Sequence, residues 1–146
     1  MITLTLTTEE RSSRHDYQQL AASADELALH YRTTEARKNQ EAEQHTSSAN
    51  YWRRRADEAR ERHRDRLAAD HAAAADDHQE QAAECEKQAV AYADVARYIE
   101  GITTATELWH LTYHYFGSDA LPAPRQTSEQ CWRCNPHLLD TKAGAR

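Results

Sequence analysis

Residues 48–100 contain no glycine or proline and read SANYWRRRADEARERHRDRLAADHAAAADDHQEQAAECEKQAVAYADVARYIE. Glycine and proline are the residues that most disfavour a helix interior, so their absence here favours one unbroken helix. Small and apolar residues recur along the stretch at a mean step of about 3.6 residues, the period of one helical face. The members of this stripe are Trp52, Ala56, Ala59, His63, Leu67, Ala74, His78, Ala82, Cys85, Ala89, Tyr92, Ala96 and Ile99. The pattern predicts a helix over about residues 49–100 with one face packed against another helix.

A second helical pattern precedes this stretch. Residues Thr7–Glu10 are typical of a helix start, because threonine caps the free N–H groups and acids favour the first turn. The apolar face that follows consists of Tyr17, Leu20, Ala21, Ala24, Leu27, Ala28 and Tyr31. We therefore predict a first helix over about residues 8–45. The polar run 46–50 predicts the bend of the hairpin, because short polar side chains compete for backbone hydrogen bonds.

Shorter elements flank the two long helices. Ile2, Leu4 and Leu6 alternate with threonines, which favours a frayed lead-in over a strand added to a partner. Gly101 interrupts the long helix, and Thr103 or Thr104 would cap a third helix over about residues 103–116, followed by Gly117. The sequence thus predicts an all-α fold. A long antiparallel, coiled-coil-like hairpin and a shorter third helix occupy residues 1–117, and residues 118–146 form an extended linker and a Cys/His tail.

The composition limits the size of the hydrophobic core. Leu, Ile, Val and Phe make up only 17 of the 146 residues, whereas alanine alone contributes 26. One domain of this kind is helical but buries few large side chains, so we expect it to oligomerise or to depend on a partner. The sequence has no signal-peptide pattern and no long apolar run, and three cysteines favour a reducing compartment. We therefore expect a cytoplasmic protein without membrane contact.

Cysteine and histidine residues near the C-terminus predict a metal site. Cys131 and Cys134 form a Cys-x-x-Cys pair, and His110 and His114 lie one turn apart on the third helix. Together these four residues suit a tetrahedral structural zinc site, with His137 as a competing ligand. Uncommitted thiols and a redox pair are the alternatives. Cys85 lies on the hairpin stripe and is interpreted as a small core residue.

An arginine-rich segment gives a second candidate site. Residues 51–66 carry seven arginines against four acids, whereas residues 67–100 carry eight acids against two bases. Arginines at this end of the helix suit phosphate binding, with Trp52 and Tyr51 beside them to stack on bases. The arginines of this candidate nucleic-acid site are Arg53, Arg54, Arg55, Arg60, Arg62 and Arg64. Interleaved acids favour the competing interpretation, a solvated face with ion pairs along the helix.

These patterns favour a non-enzymatic interaction or assembly protein that acts through protein–protein contacts, with a homodimer as the simplest partner arrangement. The side chains expected at the interface are Leu108, Trp109, Leu111, Tyr115, Phe116 and Trp52. A nucleic-acid-associated regulator that uses the arginine segment is one alternative. Another is a small metal-dependent hydrolase that uses His110, His114 and a third histidine, although no glutamate stands between the two histidines as in His-Glu-x-x-His.

Overall fold

The computed structural model describes residues 1–115, except the side chains of Trp109 and residues 112–115. A short 3₁₀ helix, Glu10–Ser13, leads into three α-helices: α1 (Arg14–Glu61), α2 (Asp65–Glu100) and α3 (Ala105–Tyr115). The two long helices pack against each other as an antiparallel hairpin, and the described residues contain no strand. The predicted fold class is therefore confirmed. The predicted linker and tail, residues 118–146, lie outside the described residues.

The predicted bend at residues 46–50 is wrong. α1 continues through this polar run, where Ala49 is fully buried. The chain reverses instead at residues 62–64, within the stretch that was predicted to be one continuous helix. Tertiary packing of a buried alanine has outweighed the weak local preference of serine, threonine and asparagine for turns.

The hairpin turn is closed by backbone hydrogen bonds without glycine. His63 takes a positive φ of 56°. Its N–H donates to the carbonyl of Arg60 (3.0 Å), and the N–H of Arg64 donates to the carbonyl of Ala59 (2.8 Å). This pair of bonds is the Schellman arrangement, which satisfies the last carbonyls of a helix and usually has glycine at the left-handed position. Because histidine stands there, neither glycine nor proline marks the turn in the sequence.

The chain divides into two compact units, of which the first comprises residues 28–98 and is here called the hairpin unit. Its buried seam repeats every seven residues. The buried alanines at this spacing are Ala28, Ala42, Ala49 and Ala56 on α1 and Ala68, Ala75, Ala82, Ala89 and Ala96 on α2; Ala59 and Ala93 are buried outside the repeat. Glu35 occupies the missing α1 position and is half-buried. The predicted stripe had drifted by one residue near its start: Leu67 is 39% exposed, and Ala68 and Ala75 are buried in place of Leu67 and Ala74.

Between the alanines, larger side chains of the two helices meet in layers. Tyr31 stacks on Tyr92 with ring centroids 5.9 Å apart. Seven residues nearer the turn on each helix, the side chains are Lys38 and Cys85. Alanine at the alternate positions lets the helices approach closely, because each methyl group adds little bulk to the interface.

The second unit comprises residues 1–27 and the described residues from Ile99 onward; we call it the terminal unit. Its core uses large aliphatic side chains. Those that are at most 8% exposed are Ile2, Leu27, Ile99, Ile102, Leu108 and Leu111. The N-terminal segment was expected to be frayed, but it is held in place. The N–H of Ile2 donates to Asp25 Oδ1 (2.9 Å), and Thr5 forms a parallel bridge with Thr104.

The starts of the 3₁₀ helix and of α3 carry reciprocal caps. Thr7 and Glu10 exchange side-chain-to-backbone hydrogen bonds of 3.2 and 3.3 Å. Before α3, Thr104 Oγ1 accepts from the N–H of Glu107 (3.2 Å), while Glu107 Oε2 accepts from the N–H groups of Thr103 (2.9 Å) and Thr104 (3.4 Å). Each pair satisfies N–H groups that the first turn of a helix leaves without partners.

Candidate functional site

The relocated turn places the arginine-rich segment at the tip of the hairpin. Arg62, Arg64 and Arg66 are exposed around the turn, and Arg54 is exposed on α1. Among residues 1–115, none of these four has a carboxylate oxygen within 4.0 Å. The arginine-rich segment therefore lies beside the turn at residues 62–64 and not beside the bend that was predicted at 46–50.

The other predicted arginines are engaged with neighbours. Arg55 pairs with Glu58 (3.4 Å) and Arg60 with Asp57 (2.8 Å), each across one helical turn. Arg53 reaches across the hairpin to Gln79 Oε1 at 3.4 Å. Exposed pairs of this kind contribute little stability, but they lower the positive charge that is available to a phosphate.

Trp52 lies in the seam and not beside the arginines on the surface. It is half-buried, and its ring stacks on His71 with centroids 5.0 Å apart and an interplanar angle of 29°. Tyr51, in edge contact with Trp52, stays 48% exposed. Of the two aromatic residues predicted to stack on bases, Tyr51 alone presents an exposed ring.

The predicted protein interface contains residues that the chain uses for its own core. Leu108 and Leu111 are both 0% exposed, so neither is on the surface. Trp109 and Tyr115 lie on α3, but their side chains, like residue 116, fall outside what the structure describes. The large apolar side chains that are exposed in the hairpin unit are Leu29 (67%), Val90 (61%), Tyr51 (48%), Tyr98 (44%) and Leu67 (39%).

The predicted zinc ligands fall mostly outside the described residues. Cys131, Cys134 and His137 lie beyond residue 115, and the side chain of His114 is not described. His110 lies on α3 and is 6% exposed. Among the side chains that the structure describes, no three of histidine, cysteine, aspartate or glutamate come together to hold a metal ion.

The seam contains a row of polar layers, each formed by one residue of α1 and one of α2, that was not predicted from the sequence. His45 Nδ1 lies 3.1 Å from His78 Nδ1, and the next layer toward the turn is the Trp52–His71 stack. The seven-residue spacing of alanines in α2 could have revealed this row, because the position three residues after each of Ala68 and Ala75 is a histidine. The average step of 3.6 residues in the predicted stripe does not distinguish this seven-residue repeat from an ordinary helical face.

Glu41 occupies the layer on the other side of the histidine pair. Its carboxylate accepts from Lys38 Nζ (3.1 Å) and from Cys85 Sγ (3.7 Å). The pKa of Glu41 lies below its ordinary value, chiefly because Lys38 donates a hydrogen bond to its carboxylate. Burial opposes this shift, and the charge of Lys38, the hydrogen bond from Cys85 and the charge of Arg37 add smaller lowering effects. Cys85 is buried, as expected of a small core residue.

Fold and seam together define an all-α protein built on an alanine-rich helical hairpin. Comparison with protein families, with curated proteins and with solved structures finds no match to this chain. None of the helices in the described part of the chain combines the length and apolarity that a bilayer crossing requires.

Proposed function

We propose that this protein is a non-enzymatic helical assembly protein whose hairpin unit associates with a second copy of the chain. The observation that carries the proposal is the position of the large apolar side chains. Alanines close the seam, while Leu29 and Val90 remain 67% and 61% exposed on the outside. Exposing such side chains to water is unfavourable, and a partner surface would remove that cost.

Leu29 and Val90 belong to one flank of the hairpin. Each directly follows a buried seam alanine, Ala28 or Ala89. In a seven-residue repeat these positions lie on the same side as Arg53 and Gln79, whose side chains meet across the two helices. On α2 the same repeat positions hold Ala69, Asp76, Ala83 and Arg97, which are exposed and also follow seam alanines. We call Leu29, Ala69, Ala83 and Val90 the Leu29–Val90 flank; its small residues permit close approach of another helix.

Charge favours an antiparallel second copy. Residues 51–66 carry seven arginines against four acids, and residues 67–100 carry eight acids against two bases. Two hairpins side by side in opposite directions would bring the basic tip of each to the acidic α2 of the other. Such complementarity steers association and disfavours the parallel arrangement.

The test is the mass of the full chain in solution, by light scattering across a range of concentrations. The wild type is expected to have at least twice the 16.7 kDa mass of one chain, and added salt should weaken the association. Ala83→Glu combined with Val90→Glu should give monomers, because a buried interface rejects unpaired charge. Ala91→Glu is the matched control, an exposed alanine off the flank. A wild type that stays monomeric at high micromolar concentration contradicts the proposal.

A second candidate function, nucleic-acid binding, has a specific observation in its favour: the arginines at the turn are exposed and have no carboxylate partner among residues 1–115. Such a tip would meet phosphates without first breaking ion pairs. Fluorescence anisotropy with labelled single-stranded and duplex DNA at low salt tests it. Arg62→Ala with Arg64→Ala should lose binding, whereas Arg55→Ala with Arg60→Ala removes equal charge from paired positions and should lose less. Absence of binding at low salt excludes this function.

A further inference from the structure

We propose that His45 and His78 share one hydrogen-bonding proton across the seam and that this pair makes the hairpin sensitive to acid. The pair would tolerate one added proton but not two. Its two rings come from different helices, so the second proton would act directly on the contact between α1 and α2. This inference is independent of the proposed assembly function.

The ring geometry points to a hydrogen bond and not to a shared metal ion. The Nδ1 atoms are 3.1 Å apart and the ring centroids are 5.4 Å apart. For that nitrogen separation, 5.4 Å is about the greatest distance that two imidazole rings reach, and it requires the Nδ1 atoms to point straight at each other. Two lone pairs that converge on one metal would bring the ring centres closer together. A head-on approach is favourable only when one nitrogen carries a hydrogen and the other accepts it.

Three protonation states follow from this geometry. With both rings neutral, one histidine protonated on Nδ1 donates to the other, whose hydrogen is on Nε2. With one added proton, an imidazolium donates to a neutral ring, and the bond is strengthened by charge. With two added protons, both Nδ1 atoms carry hydrogen, so the bond is lost and two positive charges face each other. Stability from this contact is therefore present at neutral pH and lost as the second proton binds.

The packing around the pair explains why the rings meet directly. Ala42 and Ala49 flank His45 on α1, and Ala75 and Ala82 flank His78 on α2; all four are at most 3% exposed. Alanine at these positions brings the helix backbones together. The rings are half-buried between them, so a repulsive pair is relieved only by moving a side chain out of the seam or by opening the helices.

Several of the charged and titratable groups around the pair are engaged with other partners, whereas Glu43 and Glu86 line the neighbouring groove without a hydrogen bond or ion pair to either ring. On α1, Glu41 bonds to Lys38 and Cys85, and Arg53 reaches Gln79. On α2, the neighbours are Cys85 and His71, one layer away on either side, and Glu86 beside the groove near Thr46. None of these groups makes a hydrogen bond or ion pair to His45 or His78. A second positive charge on the pair would therefore have no counter-charge in direct contact.

The neighbouring His71 provides an opposite case in the same seam. Its ring lies on the face of Trp52, with centroids 5.0 Å apart. A protonated imidazole in that position is attracted by the electrons of the indole ring. Acid should therefore weaken the seam at the His45–His78 layer and not at every histidine within it.

The experiment measures the thermal unfolding midpoint of the full chain at about pH 7.5 and pH 5, the interval across which histidine ordinarily titrates, with a metal chelator present. The key variant is His78→Asn. Its amide group stands near the position of Nδ1 and would accept from a protonated His45 or donate to a neutral one. The wild type should lose stability on acidification, and His78→Asn should lose at most about half as much, since the linkage of the pair is removed. His15→Asn, the same change at an exposed histidine of α1, should behave as the wild type.

Equal losses in the wild type and in His78→Asn would overturn the proposal. If His78→Asn does not fold, nitrogen NMR of the histidine-labelled wild type decides. One ring of the pair should carry a hydrogen-bonded Nδ1 proton at neutral pH. Two rings protonated on Nε2 alone, or two rings that take up protons independently of each other, would overturn the inference. So would stabilisation by added zinc that chelator reverses and His78→Asn abolishes, because the pair would then be a metal chelate.

Discussion

The terminal unit and the hairpin unit use the same two long helices but build their cores in different ways. In the terminal unit, large aliphatic side chains converge from the N-terminal segment, α1, α2 and α3, including Ile2, Leu27, Ile99 and Leu108. In the hairpin unit, the buried positions are mostly alanines from two helices, and the larger side chains between them are tyrosine, histidine, tryptophan and cysteine.

The difference separates two sources of stability. A buried leucine or isoleucine removes a large apolar area from water, roughly 2 kcal/mol for one side chain. An alanine methyl removes far less, so the hairpin seam depends on close approach of the helices and on many weak contacts. We therefore expect the terminal unit to be sensitive to loss of volume and the hairpin unit to be sensitive to gain of volume.

Leu108→Ala should produce the largest effect, because it empties a fully buried position in the terminal unit. Large-to-small changes at such sites cost about 2–5 kcal/mol, from lost burial and from the cavity that remains. Chemical denaturation of the full chain measures the loss. Leu67→Ala, at a leucine that is 39% exposed, is the control and should change stability by about 0.5 kcal/mol or less. Similar costs for the two leucines would show that the terminal unit has no specific core.

The sequence predicted the helical fold class and two capped starts because these depend on local chemistry, although it misplaced the boundary between the two long helices. A threonine cap followed by acids indicated a start near Thr7, and Thr103 or Thr104 was expected to cap the third helix; a reciprocal cap forms at each place. The absence of glycine and proline likewise identified long helices. Such features need no knowledge of distant contacts.

The turn and the polar seam depend on pairing between distant residues, and a single sequence gives little information about it. His63 adopts a left-handed conformation, which histidine tolerates but which the presence of a histidine does not predict. The contact of His45 with His78 depends on the register of the two helices, which the turn at residues 62–64 sets. Once the predicted bend was misplaced, the partners across the seam could not be derived. Leu108 and Leu111 were assigned to an interface, but the terminal unit buries both in its own core.

Ala75→Leu should have an intermediate effect and tests the hairpin side of the comparison. Ala75 is 0% exposed between the two histidine-bearing layers, so three added carbons must push the helices apart or force strained rotamers. Overpacking of this kind costs about 1–3 kcal/mol. Ala73→Leu makes the same change at an exposed position two residues earlier, and denaturation midpoints of the two variants should separate clearly. If Ala75→Leu were as stable as Ala73→Leu, the seam would be loosely packed and the proposed close approach would be wrong.

Glu41→Gln should have the smallest effect, and its dependence on pH shows how the polar part of the seam contributes. The hydrogen bond from Lys38 holds the pKa of Glu41 below its ordinary value of 4.5 in the folded chain. A depressed carboxyl pKa adds stability above the ordinary value, and this stability is lost as the pH falls below 4.5 through the folded pKa. The wild type should therefore be slightly more stable than Glu41→Gln at neutral pH, and the difference should vanish in acid. The effect is small because the side chain is 38% exposed and solvent screens its ion pair.

Glu80→Gln, at an exposed position of α2, is the control for the loss of one negative charge. A difference between Glu41→Gln and the wild type that stays constant from neutral to acid pH would mean that shape and not charge determines the role of Glu41 beside Cys85.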